Sequence, residues 1–184
     1  MSYAIQRKNG LEQNKLYTED TNIHDWYRFV LSYPPHLVRD YVEKFGVSST
    51  GKILDPFCGT GTTLVESKKL GIPSVGIEAN PVVQMAASAK VNWNIDCDAL
   101  LSHSNQVAKR AKAKLLEYGS NLKTLSPDKE KLIIKNSISP IPLHKTLVLF
   151  ETLSEMIEDQ FYNIQRTALA KQIVFSFSNL RFGP

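Results

Sequence analysis

The apolar positions change their period along the chain. Leu37, Val38, Tyr41, Val42 and Phe45 recur at helical spacing behind Pro34-Pro35, and Gly46 follows them. That pattern predicts a helix with proline in its first turn and glycine as its stop. "SSTG" reads as a turn and "KILD" as a short strand ending at Asp55. "TTLVESKKLG" then predicts a helix, with Leu64, Val65 and Leu70 apolar and Gly71 at its end. "PSVGIEAN" holds a second short strand running into Glu78, and Pro81 opens the helix "PVVQMAASAKVNW". Strand, loop, helix, strand, acid, helix is the first half of a doubly wound α/β sheet.

After residue 95 the pattern is helical only. "DCDALLSHSNQVAKRAKAKLLEYG" predicts a long helix with Asp96 or Asp98 near its start, where helix capping is the favoured role for either acid. "SNLKTLSPDKEK" reads as a loop, and two further helices are expected at roughly 145–159 and 163–178. Residues 1–22 are polar without clear periodicity. The expected organisation is therefore a lead-in over 1–23, a ligand-binding α/β half over 24–95, and a helical insertion over 96–184, or a region leading to the rest of the domain. A parallel sheet of two or three strands would leave an edge unsatisfied, so a piece of a longer domain is expected.

Composition narrows the class. The 184 residues are 42% hydrophobic and 22% charged, ordinary for a globular chain with a real core. No run approaches the ~20 apolar residues of a membrane helix, and the first ten residues lack the apolar core of a signal peptide, so no membrane partner is expected. Two cysteines, Cys58 and Cys97, argue against a disulfide scaffold or a cysteine-ligated zinc site. They suit a reducing interior, so a cytoplasmic location is expected. The four histidines are scattered, so no metal is expected. Net charge is only +4, but residues 109–135 carry eight basic side chains against three acids. Such a stretch faces a polyanion or is a solvated lysine-rich helix face, and the two readings stand level.

The chemistry gathers at "LDPFCGTGTTL", residues 54–64. Asp55 closes a strand, at the edge where open α/β sheets bind ligands. Gly59 and Gly61 let the backbone turn and approach a ligand, and Thr62-Thr63 open a helix whose free N–H groups point to the same cleft. A phosphate loop would need lysine after its last glycine, and a dinucleotide fingerprint would need a third glycine where Leu64 stands. An acid before the glycines suits a cation better than a pyrophosphate. S-adenosylmethionine carries a sulfonium and an ammonium and no phosphate. Glu78, 17 residues after Gly61, stands where an acid can take both ribose hydroxyls.

"DPFCGTGTTLVES" followed by "GIEANP" resembles motifs I and II of the DNA amino-methyltransferases, which methylate adenine N6 or cytosine N4. "LSYPPHLVRDYVEKF" resembles their motif X, which closes over the methionine part of the cofactor. The resemblance covers about residues 24–91. It implies a Rossmann-like doubly wound methyltransferase fold, here incomplete, with a helical insertion after the second βα unit. It implies S-adenosylmethionine as cofactor, DNA as partner and a place in restriction-modification. Asp55 would face the methionine ammonium, and Glu78 would hold the ribose, with Ala79 and Asn80 flanking the adenine. Pro56, Phe57, Cys58, Gly59, Thr60, Gly61 and Thr62 would line the pocket, with Tyr33 and Pro34 on the motif X side.

The family's catalytic tetrapeptide is D/N/S-P-P-aromatic. Its polar side chain and a proline carbonyl accept hydrogen bonds from the exocyclic amine, and its aromatic stacks on the flipped base. This sequence lacks it: Ser32-Tyr33-Pro34-Pro35 has its aromatic before the prolines, and Asn80-Pro81-Val82 lacks the second proline. The catalytic residues are therefore unknown, and this chain alone is expected to be inactive. A missing carboxyl-terminal half or a second chain would supply them. The alternatives are an RNA guanine-N2 methyltransferase, whose cofactor loops are similar, and a non-catalytic cofactor-binding subunit or remnant.

Overall fold

A computed structural model describes residues 14–28 and 32–180. The chain divides into two units, Met1–Val91 and Asn92–Pro184. The expected lead-in over 1–23 falls partly outside the described residues, as do residues 29–31 of the aromatic segment before the prolines.

The first unit includes a 3-10 turn, Thr18–Asp20, followed by one turn of helix, α1 (Thr21–His24). Helix α2 (Pro35–Lys44) has Pro35 at its first position, where the absent N–H costs nothing. It ends as the sequence predicts. Gly46 takes the left-handed region at φ 62°, and the N–H groups of Gly46 and Val47 return to the carbonyls of Glu43 and Val42. This Schellman pattern satisfies the last carbonyls of the helix. The same closure ends α3 (Thr62–Lys69) at Gly71, with φ 69°.

Strands β1 (Ile53–Asp55) and β2 (Ser74–Gly76) pair in parallel, Ile53 opposite Ser74 and Asp55 opposite Gly76. Their carboxyl ends therefore emerge side by side. The pairing continues into the loops, where Ile77 N donates to Asp55 O at 2.9 Å and Cys58 N donates to Ile77 O at 3.0 Å. Helix α3 covers one face of this sheet closely. A Cβ at Gly76 would lie 2.7 Å from Leu64 Cδ1 and 2.8 Å from Cys58 Sγ, so no side chain fits there. The other face is uncovered among the described residues, with Leu54 64% and Val75 61% exposed. Helix α4 (Pro81–Val91) buries Ala86, Ala87 and Ala89. A helix-rich unit with a small parallel sheet is compatible with a methyltransferase fold.

The second unit is helical: α5 (Cys97–Tyr118), α6 (Pro127–Glu130), α7 (Pro140–Glu155) and α8 (Asp159–Gln172), the last running into a π-turn at Ile173–Phe177. Asp96 caps α5, its Oδ1 accepting from the N–H groups of Asp98 and Ala99 at 3.0 Å each. Helix α7 starts five residues before the expected 145, because Pro140 occupies its first turn, a place proline tolerates. The stretch expected to be loop contains the single turn α6. Val107, Leu153 and Leu169, from three different helices, form the core of this unit.

Candidate cofactor loop

The loop between β1 and α3 is held by its two acids. Asp55 Oδ1 accepts from Phe57 N at 3.1 Å, and Oδ2 accepts from the Tyr33 hydroxyl at 2.9 Å. Glu78, two residues beyond β2, accepts from Gly59 N at 3.1 Å and from Asn80 N at 2.8 Å. Asn80 in turn starts α4, its Oδ1 accepting from Val82 N at 3.0 Å. The structure thus brings Asp55, Glu78, Gly59 and Asn80 together at one sheet edge, with Tyr33 joined to them.

The glycines are there for the backbone. Gly59 and Gly61 take φ 54° and 88°, where side chains are strained. A Cβ at Gly61 would meet Ala87 Cα at 3.1 Å, so this glycine also lets α4 approach. A Cβ at Gly59 would have nothing within 4 Å, so the space above the loop is open. Phe57 stands 86% exposed beside it, and Pro56 and Ala79 are exposed too. Thr60, Thr62 and Pro34 are buried. The Cys58 thiol is buried, and its pKa is pushed up by burial first and then by the Asp55 and Glu78 charges. That environment holds it protonated, as a packing residue and not a nucleophile.

These residues fit a cationic ligand that carries hydroxyls. An ionised carboxylate offers about four lone-pair sites, and each acid uses two within the protein. The remainder face no cation among the described residues and would repel a phosphate. Among those residues there is no group of three or more histidines, cysteines or acids placed to hold a metal, and no helix long and apolar enough to cross a membrane.

Beside the loop lies a cluster that the sequence reading missed. Glu66 of α3 is fully buried, and three side chains meet it: His24 Nε2 at 2.7 Å, Arg39 Nη1 at 2.6 Å and Lys69 Nζ at 2.8 Å. Arg39 also donates both terminal nitrogens to the buried Asp20, each at 2.9 Å. Burial alone would raise the Glu66 pKa, but hydrogen bonds from His24, Lys69 and Arg39 outweigh it and hold the carboxyl at about 2. Desolvation would lower the Arg39 pKa, yet Asp20 and Glu66 together push it up. Lys90 of α4, 1% exposed, donates to the carbonyls of His24 at 3.2 Å and Tyr27 at 2.6 Å. The available signal was register: Thr62, Val65, Glu66 and Lys69 fall on one face of α3, which sets an acid among buried positions.

In the second unit the basic stretch is partly neutralised. Lys114 and Arg110 pair with Glu155 at 2.5 and 3.4 Å, and Lys123 pairs with Glu151. Three of its eight cations thus serve α7.

A family model described as DNA methylase, of the adenine-N6 and cytosine-N4 type, matches residues 4–88. The chain is 40% identical over 72 residues to the Type II methyltransferase M.BsoBI of Geobacillus stearothermophilus, covering 39% of this chain and 14% of that protein. It is 34% identical over 71 residues to the Type II methyltransferase M.MjaII of Methanocaldococcus jannaschii, covering 38% of this chain and 13% of the relative. A tRNA (guanine(10)-N2)-dimethyltransferase of Methanothermobacter thermautotrophicus is 45% identical over 47 residues, 26% of this chain and 14% of the other. The chain therefore spans a small fraction of the length of the relatives it matches. No solved structure matches it. The resemblance carried by the motifs holds: residues 4–88 match the DNA amino-methyltransferase family, in its model and in two Type II methyltransferases.

Proposed function

We propose, from the match of residues 4–88 to the DNA amino-methyltransferase family, that the first unit is the S-adenosylmethionine-binding part of a site-specific DNA methyltransferase acting on adenine N6 or cytosine N4. The observation that carries this reading is the pair of carboxylates, Asp55 and Glu78, flanking an open glycine loop where two parallel strands end. Asp55 would meet the ammonium of the methionine part. Glu78 would accept from the ribose hydroxyls, and the exposed Phe57 and Ala79 would cover the apolar parts. The cofactor, when bound, supplies an electrophilic methyl group.

The 184 residues contain no D/N/S-P-P-aromatic tetrapeptide, so the residues that orient the base amine belong to a further segment or a second chain. The uncovered sheet face at Leu54 and Val75 supports this, since a parallel sheet is stable when both faces are covered and further strands flank it. In this reading the sheet is doubly wound once completed. A second reading is an RNA guanine-N2 methyltransferase, favoured by the tRNA-modifying relative with 45% identity over 47 residues.

Calorimetric titration of the chain with S-adenosylmethionine tests the cofactor assignment. Saturable binding is expected for the wild type, with a loss of at least about ten-fold in Glu78→Ala, since a hydrogen-bonded carboxylate is removed. A folded wild type that evolves no binding heat overturns the assignment.

A further inference from the structure

The geometry points to Tyr33 as a positioning residue for Asp55: its phenol fixes the carboxylate that receives the ligand's cation, without itself touching that cation. This rests on the cofactor reading above. Asp55, when ionised, only accepts, so the single Tyr33 proton is committed to Oδ2 at 2.9 Å. Thr63 Oγ1 lies 2.5 Å from the same phenol oxygen. That oxygen has already given its proton to Asp55, so Thr63 must be the donor. The result is a relay of two hydrogen bonds, from Thr63 in the first turn of α3, through Tyr33, to Asp55 at the end of β1.

The relay matters because an aspartate's last torsion is broad when nothing holds it. Here Phe57 N–H holds one oxygen and the phenol holds the other, so the carboxylate is arrested with its free lone pairs in a set direction. Burial, together with the Asp55 charge, pushes the Tyr33 hydroxyl up to about 12, so it keeps its proton at any pH where binding is measured. The ring is one wall of an open apolar groove of about 370 Å³ that Leu37, Tyr41 and Phe45 also line. A phenylalanine at position 33 would keep that wall and lose only the hydroxyl.

The test compares two ligands on the full chain: S-adenosylmethionine, and methylthioadenosine, which keeps the adenosine and lacks both the ammonium and the sulfonium. Tyr33→Phe is expected to weaken S-adenosylmethionine about ten-fold and to leave methylthioadenosine within about two-fold of wild type. Thr63→Val should weaken S-adenosylmethionine less, and should add little once Tyr33→Phe is present, because Thr63 acts through the phenol. Equal losses for both ligands would mean a merely structural tyrosine and would overturn the proposal, as would undiminished affinity for S-adenosylmethionine. A folded wild type that binds neither ligand would instead overturn the cofactor reading, and this proposal with it.

Discussion

The first unit buries the carboxylates of its ion pairs, whereas the second leaves the carboxylates of its pairs at the rim and fills its centre with Val107, Leu153 and Leu169. Glu66 is fully buried among His24, Arg39 and Lys69, yet Glu155 and Glu151 meet Lys114, Arg110 and Lys123 where water still reaches them. Burying ions is costly, and an apolar replacement is often as stable, so the buried network is better understood as fixing position than as adding stability. What it positions is specific. Asp20 and His24 come from the opening turns, Arg39 from α2, and Glu66 and Lys69 from the helix that begins at the cofactor loop. The loop is therefore seated on charges, and the helical unit on methyl groups.

The sharpest way to break this contrast is to remove a cation from the two buried carboxylates. Arg39→Met leaves the buried Asp20 with only Lys69, 3.6 Å away, and leaves Glu66 with two partners. Removing one member of a buried pair typically costs 3–5 kcal/mol, and a loss of about 3 kcal/mol is expected here. Hydrogen exchange in α2 and α3 reads it directly, and exchange rates unchanged from wild type would show that the network carries no structural load.

Acid should act on the same cluster. The folded Glu66 carboxyl sits at about 2, below its ordinary value of 4.5, so its contribution is complete above pH 4.5 and is lost as the pH falls toward 2. Linkage makes this loss about 3 kcal/mol. Protection of α3 amides, followed from pH 6 to about pH 3, should fall in the wild type. It should fall less steeply in Glu66→Gln, which has no proton to gain at that site.

For the second unit the matching lesion is apolar. Val107→Ala removes two methyl groups from a side chain that is 2% exposed. The transfer and cavity terms together come to about 2 kcal/mol. Urea unfolding followed by helix content should show a lower midpoint with an unchanged slope.

The same contrast explains what could be read from the residues alone. The loop was legible because its geometry is local: glycines stand where φ reaches 54° and 88°, and helices stop at Gly46 and Gly71, also in the left-handed region. Strand ends, acids and helix starts lie within a few residues of one another. The ionic cluster was not legible, since His24 and Arg39 reach Glu66 across 42 and 27 residues, and no period in the sequence links them. The partners of the basic stretch were hidden for the same reason, because the acids that meet Arg110, Lys114 and Lys123 stand on α7, outside the stretch. The start of α7 was hidden because Pro140 and Pro142 resemble loop residues when their place in a first turn is unknown.

The smallest effect tests the rim. Glu155 accepts from Lys114 and pairs with Arg110, and its side chain is 37% exposed, so solvent screens both pairs. Glu155→Gln should therefore cost less than about 1 kcal/mol. Raising the salt toward about 1 M, where the screening length shrinks to roughly 3 Å, should reduce even that. A double-mutant cycle with Lys114→Met isolates the pair, and a coupling comparable to the Arg39 loss would erase the distinction between the two units. A small, salt-sensitive coupling has a consequence for the basic stretch. Lys114 and Arg110 could then leave Glu155 for a stronger anion at little cost, whereas Arg39 could not leave Glu66. The rim cations would remain available to a polyanion even though α7 neutralises them, and those held by the buried carboxylates would not.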